Sequence, residues 1–326
     1  MKIISLFSGA GGLDLGFEKE GFEIVFANEF DSSIWETYEA NHPCPLNHQD
    51  LRNINIDSIP DADGLIGGPP CQSWSTAGAQ RGINDPRGQL FLNYIKILEA
   101  KRPKFFICEN VPGILFAKNA TALNGFIDSF KAAGYKLIIR KINAIDVGAP
   151  QDRERVIFFG IREDLNIEPT LNLPIAEPKT LEDAIGDLKD NAVAAIGNNN
   201  TNPDVMIPNH EYFTGGFSSM FMSRNRVRNW QEQGYTVQAS GRQCQLHPQA
   251  PKMEKIDIDK FQFVPGSEHL YRRLTVRECA RLQGFPDDFI FKYSKVDDGY
   301  KMIGNAVPVQ LAQALAKNVK NLLGEN

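Results

Sequence analysis

The chain has 326 residues and a mass of 36.4 kDa, room for two ordinary domains or one domain with a large insertion. Its 42% hydrophobic and 23% charged content is that of a folded globular protein, which excludes a disordered, collagenous or coiled-coil chain. The net charge of -5 hides an asymmetry: residues 1–70 hold three basic and twelve acidic residues (-9), whereas 222–281 hold eleven basic and six acidic (+5). The basic segment could meet a polyanion. No window has the roughly 18 uninterrupted apolar residues of a membrane span, and the start, Met1 to Phe7, lacks a small-residue cleavage site. Five scattered cysteines, Cys44, Cys71, Cys108, Cys244 and Cys279, point to a reducing cytoplasm rather than a disulfide framework.

In chain order, Ile3–Phe7 reads as a strand, Leu13–Lys19 as a helix, Ile24–Ala27 as a strand and Ile34–Ala40 as a helix. Gly64–Ile66 (strand), Leu90–Ala100 (helix), Lys104–Cys108 (strand), Leu123–Ala133 (helix), Leu137–Ile142 (strand) and Val156–Ile161 (strand) follow. Such alternation predicts a parallel, doubly wound α/β sheet covered by helices. From about Leu171 prolines and the run Gly197 to Pro203 interrupt the pattern, and 205–270 has no helical periodicity. A helix returns at Val309–Leu323, with Leu311, Leu315, Val319 and Leu322 on one face. The expected division is a first domain of 1–175 completed by 287–326, and a smaller, irregular, β-rich domain of 176–286.

The first strand runs into Phe7-Ser8-Gly9-Ala10-Gly11-Gly12, a glycine turn that lets a ligand lie against bare backbone at a helix N-terminus. No Lys-Ser or Lys-Thr follows, so it is not a phosphate loop. Glu29, about 20 residues on, stands where an acid can accept a ribose's hydroxyls, and Asp50 where one can meet an adenine amino group. Two acids beside a glycine turn suit a nucleoside without phosphates, and the sulfonium S-adenosylmethionine better than anionic NAD.

Gly67-Gly68-Pro69-Pro70-Cys71-Gln72-Ser73 follows a short strand, which puts Cys71 on a stiffened loop at a strand's C-terminal end. A cysteine presented there is a nucleophile if its pKa falls or a base assists. Glu109 closes the next strand at the same sheet edge and can grip the polar edge of a heterocycle. Arg153 and Arg155, two apart in an extended segment, face one way and could reach a phosphate or a base carbonyl.

Together, Phe7–Gly12, Glu29, Gly68–Ser73, Glu109-Asn110-Val111, Gln151–Arg155, Arg281–Pro286 and Gly304-Asn305-Ala306-Val307-Pro308 strongly resemble the DNA (cytosine-5) methyltransferase family, from residue 3 to about residue 320. The segment 210–286, with Phe221–Arg228 and Ser240–Gln245, resembles the GGCC-specific modification enzymes of the HaeIII type. The resemblance implies an S-adenosylmethionine-dependent sheet and a catalytic set of Cys71, Glu109, Arg155 and, in support of the loop, Arg153. It implies a cofactor site of Phe7, Gly9, Gly11, Glu29, Asp50, Asn305 and Val307. Arg226 and Arg242 are expected to read guanine in the major groove or else to contact phosphate, as Arg272 and Arg273 are expected to do, and Ser73 and Arg87 belong to the loop 72–88 expected to close over the duplex.

The expected partners are double-stranded DNA and, acting on the same site without binding, a restriction endonuclease. The enzyme is expected to be monomeric and to need no metal. A zinc deaminase reading fails for want of His-x-Glu and Pro-Cys-x-x-Cys. An NAD oxidoreductase leaves Cys71 and Glu109 without a joint role. A transfer-RNA methylating member of the superfamily and a non-catalytic DNA-binding regulator are the remaining rivals.

Overall fold

A computed structural model describes residues 1–70 and 86–324, with side chains from Gln89 onward in the second stretch. Cys71, Ser73 and most of the expected closing loop lie outside the described residues, as does the side chain of Arg87.

Seven strands form the main sheet: β1 (Lys2–Leu6), β2 (Glu23–Asn28), β3 (Leu46–Asn47), β4 (Gly64–Gly67), β5 (Phe105–Asn110), β6 (Tyr135–Asn143) and β8 (Glu154–Arg162). The two-residue β7 (Gln151–Asp152) pairs elsewhere. Spatial order is β3-β2-β1-β4-β5-β8-β6. The first five strands are parallel, as expected, but β8 runs antiparallel to both β5 and β6. The cause is local: only residues 144–153 join β6 to β8, too few for a crossover helix but enough for an antiparallel return. Glu109 and Asn110 are also part of β5 rather than beyond it, paired with Ile157 and Val156.

The strands alternate between two cores. Ile3, Phe105 and Ile107 face one side and pack with Phe17 of α1 (Gly12–Lys19). Leu311, Leu315 and Val319 of α8 (Val309–Leu323) join them, so the C-terminal helix buries its apolar stripe against the N-terminal unit. Ile4, Leu6, Phe106 and Cys108 face the other side. There they meet Phe91, Tyr94 and Leu98 of α3 (Pro86–Lys101) and Phe126 and Phe130 of α4 (Ala120–Ala132). The remaining early helix, α2 (Trp35–Asn41), follows β2.

Residues 193–262 contribute only short strand pairs, such as β9 (Val193–Ala194) with β10 (Glu211–Tyr212); β11 (Gly234–Tyr235) pairs with β7. The hairpin of β12 (Glu254–Asp257) and β13 (Lys260–Gln262) completes them. Three helices escaped the periodicity reading: α5 (Leu181–Ile185), α6 (Val276–Leu282) and α7 (Val296–Asn305). The first two are short, yet each starts with a capping box, Thr180 with Asp183 and Thr275 with Glu278. That signal is legible in sequence. A third apolar cluster joins Leu181, Val237 and Leu282 to Phe289, Tyr300 and Val309, so it straddles position 286. A smaller one joins Phe221, Val227, Leu246 and Met253 within the irregular region.

Candidate active site

The chain leaves β1 toward β2 on one side while β4 lies on the other, which makes the C-terminal edge of β1 and β4 a topological switch point. A cavity of about 490 Å³ opens there. Its walls include Phe7, Ser8 and Gly9 after β1, Glu29 after β2, Gly68 to Pro70 after β4, and Glu109 and Asn110 of β5. Asn305 and Val307 close it from the C-terminal segment. Of the expected cofactor residues, Phe7, Gly9, Glu29, Asn305 and Val307 therefore share one cavity with Glu109.

Phe7 takes φ +55°, a left-handed conformation that costs a non-glycine residue on the order of 1–3 kcal/mol and is found at functional sites. It turns the backbone so that Gly9 N–H donates to Glu29 Oε2 at 3.0 Å. Glu29 Oε1 accepts from Asp31 N at 2.8 Å. Burial raises the Glu29 pKa despite these two donors, so the carboxylate gains from any further donor that a ligand brings.

Gly11 is at the turn but does not line the cavity. Its φ of +84° requires glycine, and a side chain there would run into the ring of His42. His42 packs on Tyr38, with Nδ1 2.9 Å from Glu18 Oε2 and Nε2 3.3 Å from Ala10 O. Behind the turn the buried Asp14 accepts from Ser5 Oγ at 2.6 Å and Tyr38 Oη at 2.7 Å. This support was missed, because nothing in the spacing of Asp14, Tyr38 and His42 marks them as neighbours.

Asp50 also stands apart from the cavity lining. It caps the turn Leu51–Asn53, accepting from Arg52 N, and its carboxylate is paired with the Arg52 guanidinium, which holds its pKa below the usual range.

At the other end, Glu109 is largely buried, with Oε1 2.7 Å from Arg155 Nε. The contact is an ion pair; among the described residues Arg155 Nε makes no hydrogen bond. Arg155 Nη1 donates to Glu154 O at 2.7 Å. Asn110 Nδ2 donates to Pro69 O at 3.2 Å, which ties this strand to the loop that continues into Cys71.

Arg153 does not reach the cavity. Nη1 donates to Val237 O at 2.9 Å, and Nη2 to Gly304 O at 2.7 Å and Ala306 O at 3.0 Å. Full burial, and then the neighbouring charge of Arg155, lowers its pKa well below the ordinary arginine value. It braces the segment bearing Asn305 against Val237 of the basic region.

The expected DNA-reading arginines divide. Arg242 is exposed on the turn Gly241–Gln243. Arg226 is mostly buried, Nε donating to Phe221 O at 2.7 Å and Nη2 to Met220 O at 2.9 Å, its plane over the Phe221 ring. Arg272 corrects the phosphate expectation. It is buried and holds Glu278 with two bonds of 2.8 and 2.7 Å, so its guanidinium is committed to the interior. Arg273 is similarly bound to the carbonyls of Phe213, Gly215 and Gly216.

A strained glycine turn, a buried acid after β2 and a second acid gripped by arginine at the same strand edge define a methyltransferase-type α/β site. The C-5 cytosine-specific DNA methylase family model matches residues 1–321, and the chain belongs to that family. It is a DNA cytosine-5 methyltransferase whose relatives are Type II enzymes. It is 58% identical to the Type II methyltransferase M.FnuDI of Fusobacterium nucleatum, across 99% of this chain and 95% of that one. With M.NgoPII of Neisseria gonorrhoeae the identity is 56%, across 99% and 96%. Among solved structures, an E. coli prophage-encoded protein described as a DNA modification methyltransferase superposes with a TM-score of 0.75 at 25% identity, covering all of both chains. The DNMT2 of Spodoptera frugiperda shares the fold, with a TM-score of 0.70 at 20% identity over 98% of this chain and 99% of that one.

Proposed function

We propose that the enzyme methylates carbon-5 of a cytosine in GGCC duplex DNA, using S-adenosylmethionine and a covalent adduct to Cys71, as the partner of a restriction endonuclease. The observation that carries this reading is that one cavity joins Glu29 and Asn305 at one end to Glu109 and Pro70, the residue before Cys71, at the other. Its charged lining, among the described residues and apart from the fully buried Asp14, is three acids (Glu29, Asp31, Glu109) and one lysine, Lys118. That donor set fits a cationic, phosphate-free nucleoside and disfavours a dinucleotide. When bound, the sulfonium supplies an electrophilic methyl group.

In this reading the Cys71 thiolate adds to carbon-6 of the cytosine, breaking the ring's aromaticity and making carbon-5 nucleophilic. Glu109 holds the ring nitrogen and exocyclic amine while charge develops there, and Arg155 holds both Glu109 and the base carbonyl. Carbon-5 takes the methyl, gives up its proton to a base, and the Cys71 sulfur leaves as the carbon-5–carbon-6 double bond reforms. The cytosine must leave the helix to reach this cavity, at a cost of a few kcal/mol offset by contacts in the pocket.

Residues 176–286 serve as the recognition domain. Arg242 reads guanine through N7 and O6, which is worth about 1–3 kcal/mol of discrimination. Arg226, as buried as Arg272 and bound to the carbonyls of Phe221 and Met220, supports the recognition segment from within instead. The enzyme acts as a monomer in the cytoplasm, alongside the DNA that it modifies.

The test is protection. Plasmid DNA incubated with enzyme and cofactor resists a GGCC-cutting nuclease and remains sensitive to nucleases of other specificities. Continued cutting at GGCC, with methyl incorporated elsewhere, would reassign the target.

A further inference from the structure

Helix α7 touches two things that the proposed function treats separately. Its last turn supplies Met302 and Asn305 to the cofactor cavity, and Ala306 and Val307 follow directly. Along its side runs the segment 237–241 of the basic region. Gly304 lies flat against this segment: a side chain there would overlap the backbone of Gln238 and Ala239, so only glycine permits the approach. Seven residues earlier, about 10 Å along the helix at 1.5 Å per residue, Asp297 reaches the same segment. Its Oδ1 accepts from Gly241 N at 2.7 Å and from Ser240 Oγ at 3.3 Å. Ser240 Oγ in turn accepts from Arg242 N at 3.3 Å.

The turn 240–243 is therefore fixed from below by Asp297. Gly241 is pinned from the side as well, because a side chain there would meet the Phe213 ring at 2.6 Å. At its far end Cys244 is buried in the shared apolar cluster. Arg242 alone stands out into solvent on its crest.

We propose that Asp297 is a positioning residue for target recognition, holding the 240–243 turn so that Arg242 meets the DNA in fixed register with the cofactor cavity. This rests on Arg242 being a DNA contact, as read above. A carboxylate shared by a backbone N–H and a hydroxyl is a stiff anchor, because both bonds are charge-assisted. Without it the turn keeps its walls but loses its floor. The guanidinium then samples positions that a bidentate contact does not tolerate. Neither Asp297 nor the turn lines the cavity, so cofactor affinity in the absence of DNA does not depend on them.

The experiment compares Asp297→Ala, Asp297→Asn and Asp298→Ala with wild type. KM and kcat are measured on a GGCC duplex and on a duplex with one altered base, and cofactor affinity is measured by calorimetry without DNA. Asp297→Ala raises the KM for GGCC DNA by about tenfold, the loss expected for one charge-assisted hydrogen bond, and erodes discrimination against the altered duplex. Cofactor affinity is unchanged. Asp297→Asn, which keeps the acceptor oxygen, restores most of the wild-type KM. Asp298→Ala, which removes the adjacent acid of the same first turn, leaves KM unchanged. In the background of Arg242→Ala, adding Asp297→Ala has no further effect.

An unchanged KM in Asp297→Ala overturns the proposal. So does an equal loss in Asp298→Ala, an accompanying loss of cofactor binding, or full additivity with Arg242→Ala. If the wild type proves indifferent to GGCC, that failure belongs to the target assignment. The Asp297 proposal is then judged by the same KM ratios on the mixed-sequence DNA that the wild type methylates.

Discussion

Asn110 Nδ2 donates to the carbonyl of Pro69 across the ends of two neighbouring strands, so the acid Glu109 and the loop entering Cys71 are tied by one buried hydrogen bond. The same side chain accepts from Val111 N at 2.9 Å. Asn110→Ala loses both bonds and leaves a buried carbonyl unpaired, at a cost of about 1–3 kcal/mol. It lowers kcat by tenfold or more while cofactor affinity stays within about twofold. Denaturant unfolding and steady-state kinetics check this; wild-type kcat would show that the tie does not position the chemistry.

Glu109→Gln keeps the shape of the side chain but cannot form the ion pair with Arg155. Its expected effect is a fall in kcat of about 100-fold, with the KM for cofactor little changed. The same kinetics on Arg155→Ala give a similar fall, and the double variant is less than additive because the two side chains are in contact.

Gly11→Ala places a methyl group against His42 in a backbone conformation that alanine resists. It destabilises the fold by about 1–3 kcal/mol and weakens cofactor binding through the displaced turn. Combining it with His42→Ala relieves the steric part and leaves the backbone part. Thermal unfolding with and without cofactor distinguishes the two.

Stability depends on two buried imidazoles. Burial lowers the pKa of His247, which lies 3.5 Å from Glu278 and edge-on to Trp230, to about 4. Burial also lowers that of His210. In the unfolded chain both take protons near pH 6.5. Their contribution is therefore complete above about 6.5 and is lost as pH falls toward 4, by about 3 kcal/mol for His247. His42 works in the opposite sense. Burial opposes its charge, but Glu18 and Asp14 outweigh burial and raise its pKa, so its contribution is present below 6.5 and fades above its raised value. Urea midpoints at pH 7 and 4.5 should fall less in His247→Gln than in wild type; an equal fall would exclude His247 as a source.

The strands of the N-terminal unit and the helix Val309–Leu323 were legible because each carries an apolar pattern of one period. Glu29, Asn305 and Val307 were legible through motifs that meet at a strand edge. The reversal of β8 was not, since strand direction depends on the connection and not on the strand's own residues. Arg272 was misplaced because charge alone does not separate a phosphate contact from a buried pair. Its partner Glu278, six residues on, is a capping-box acid that a sequence reader would assign to its own helix. Gly11 and Asp50 sit in motifs whose position suggests ligand contact, and the structure adds what the motifs do not show, that Gly11 makes room for His42 and Asp50 caps a turn.

The most direct test of the account uses duplex GGCC DNA with 5-fluorocytosine at the target position. Fluorine cannot depart as a proton does, so the adduct cannot resolve after methyl transfer. The expected result is a denaturation-resistant enzyme–DNA species that requires cofactor, with the methylated base attached to the peptide containing Cys71 by mass spectrometry. Attachment at another residue, or methyl transfer to normal DNA undiminished in Cys71→Ala, would contradict it.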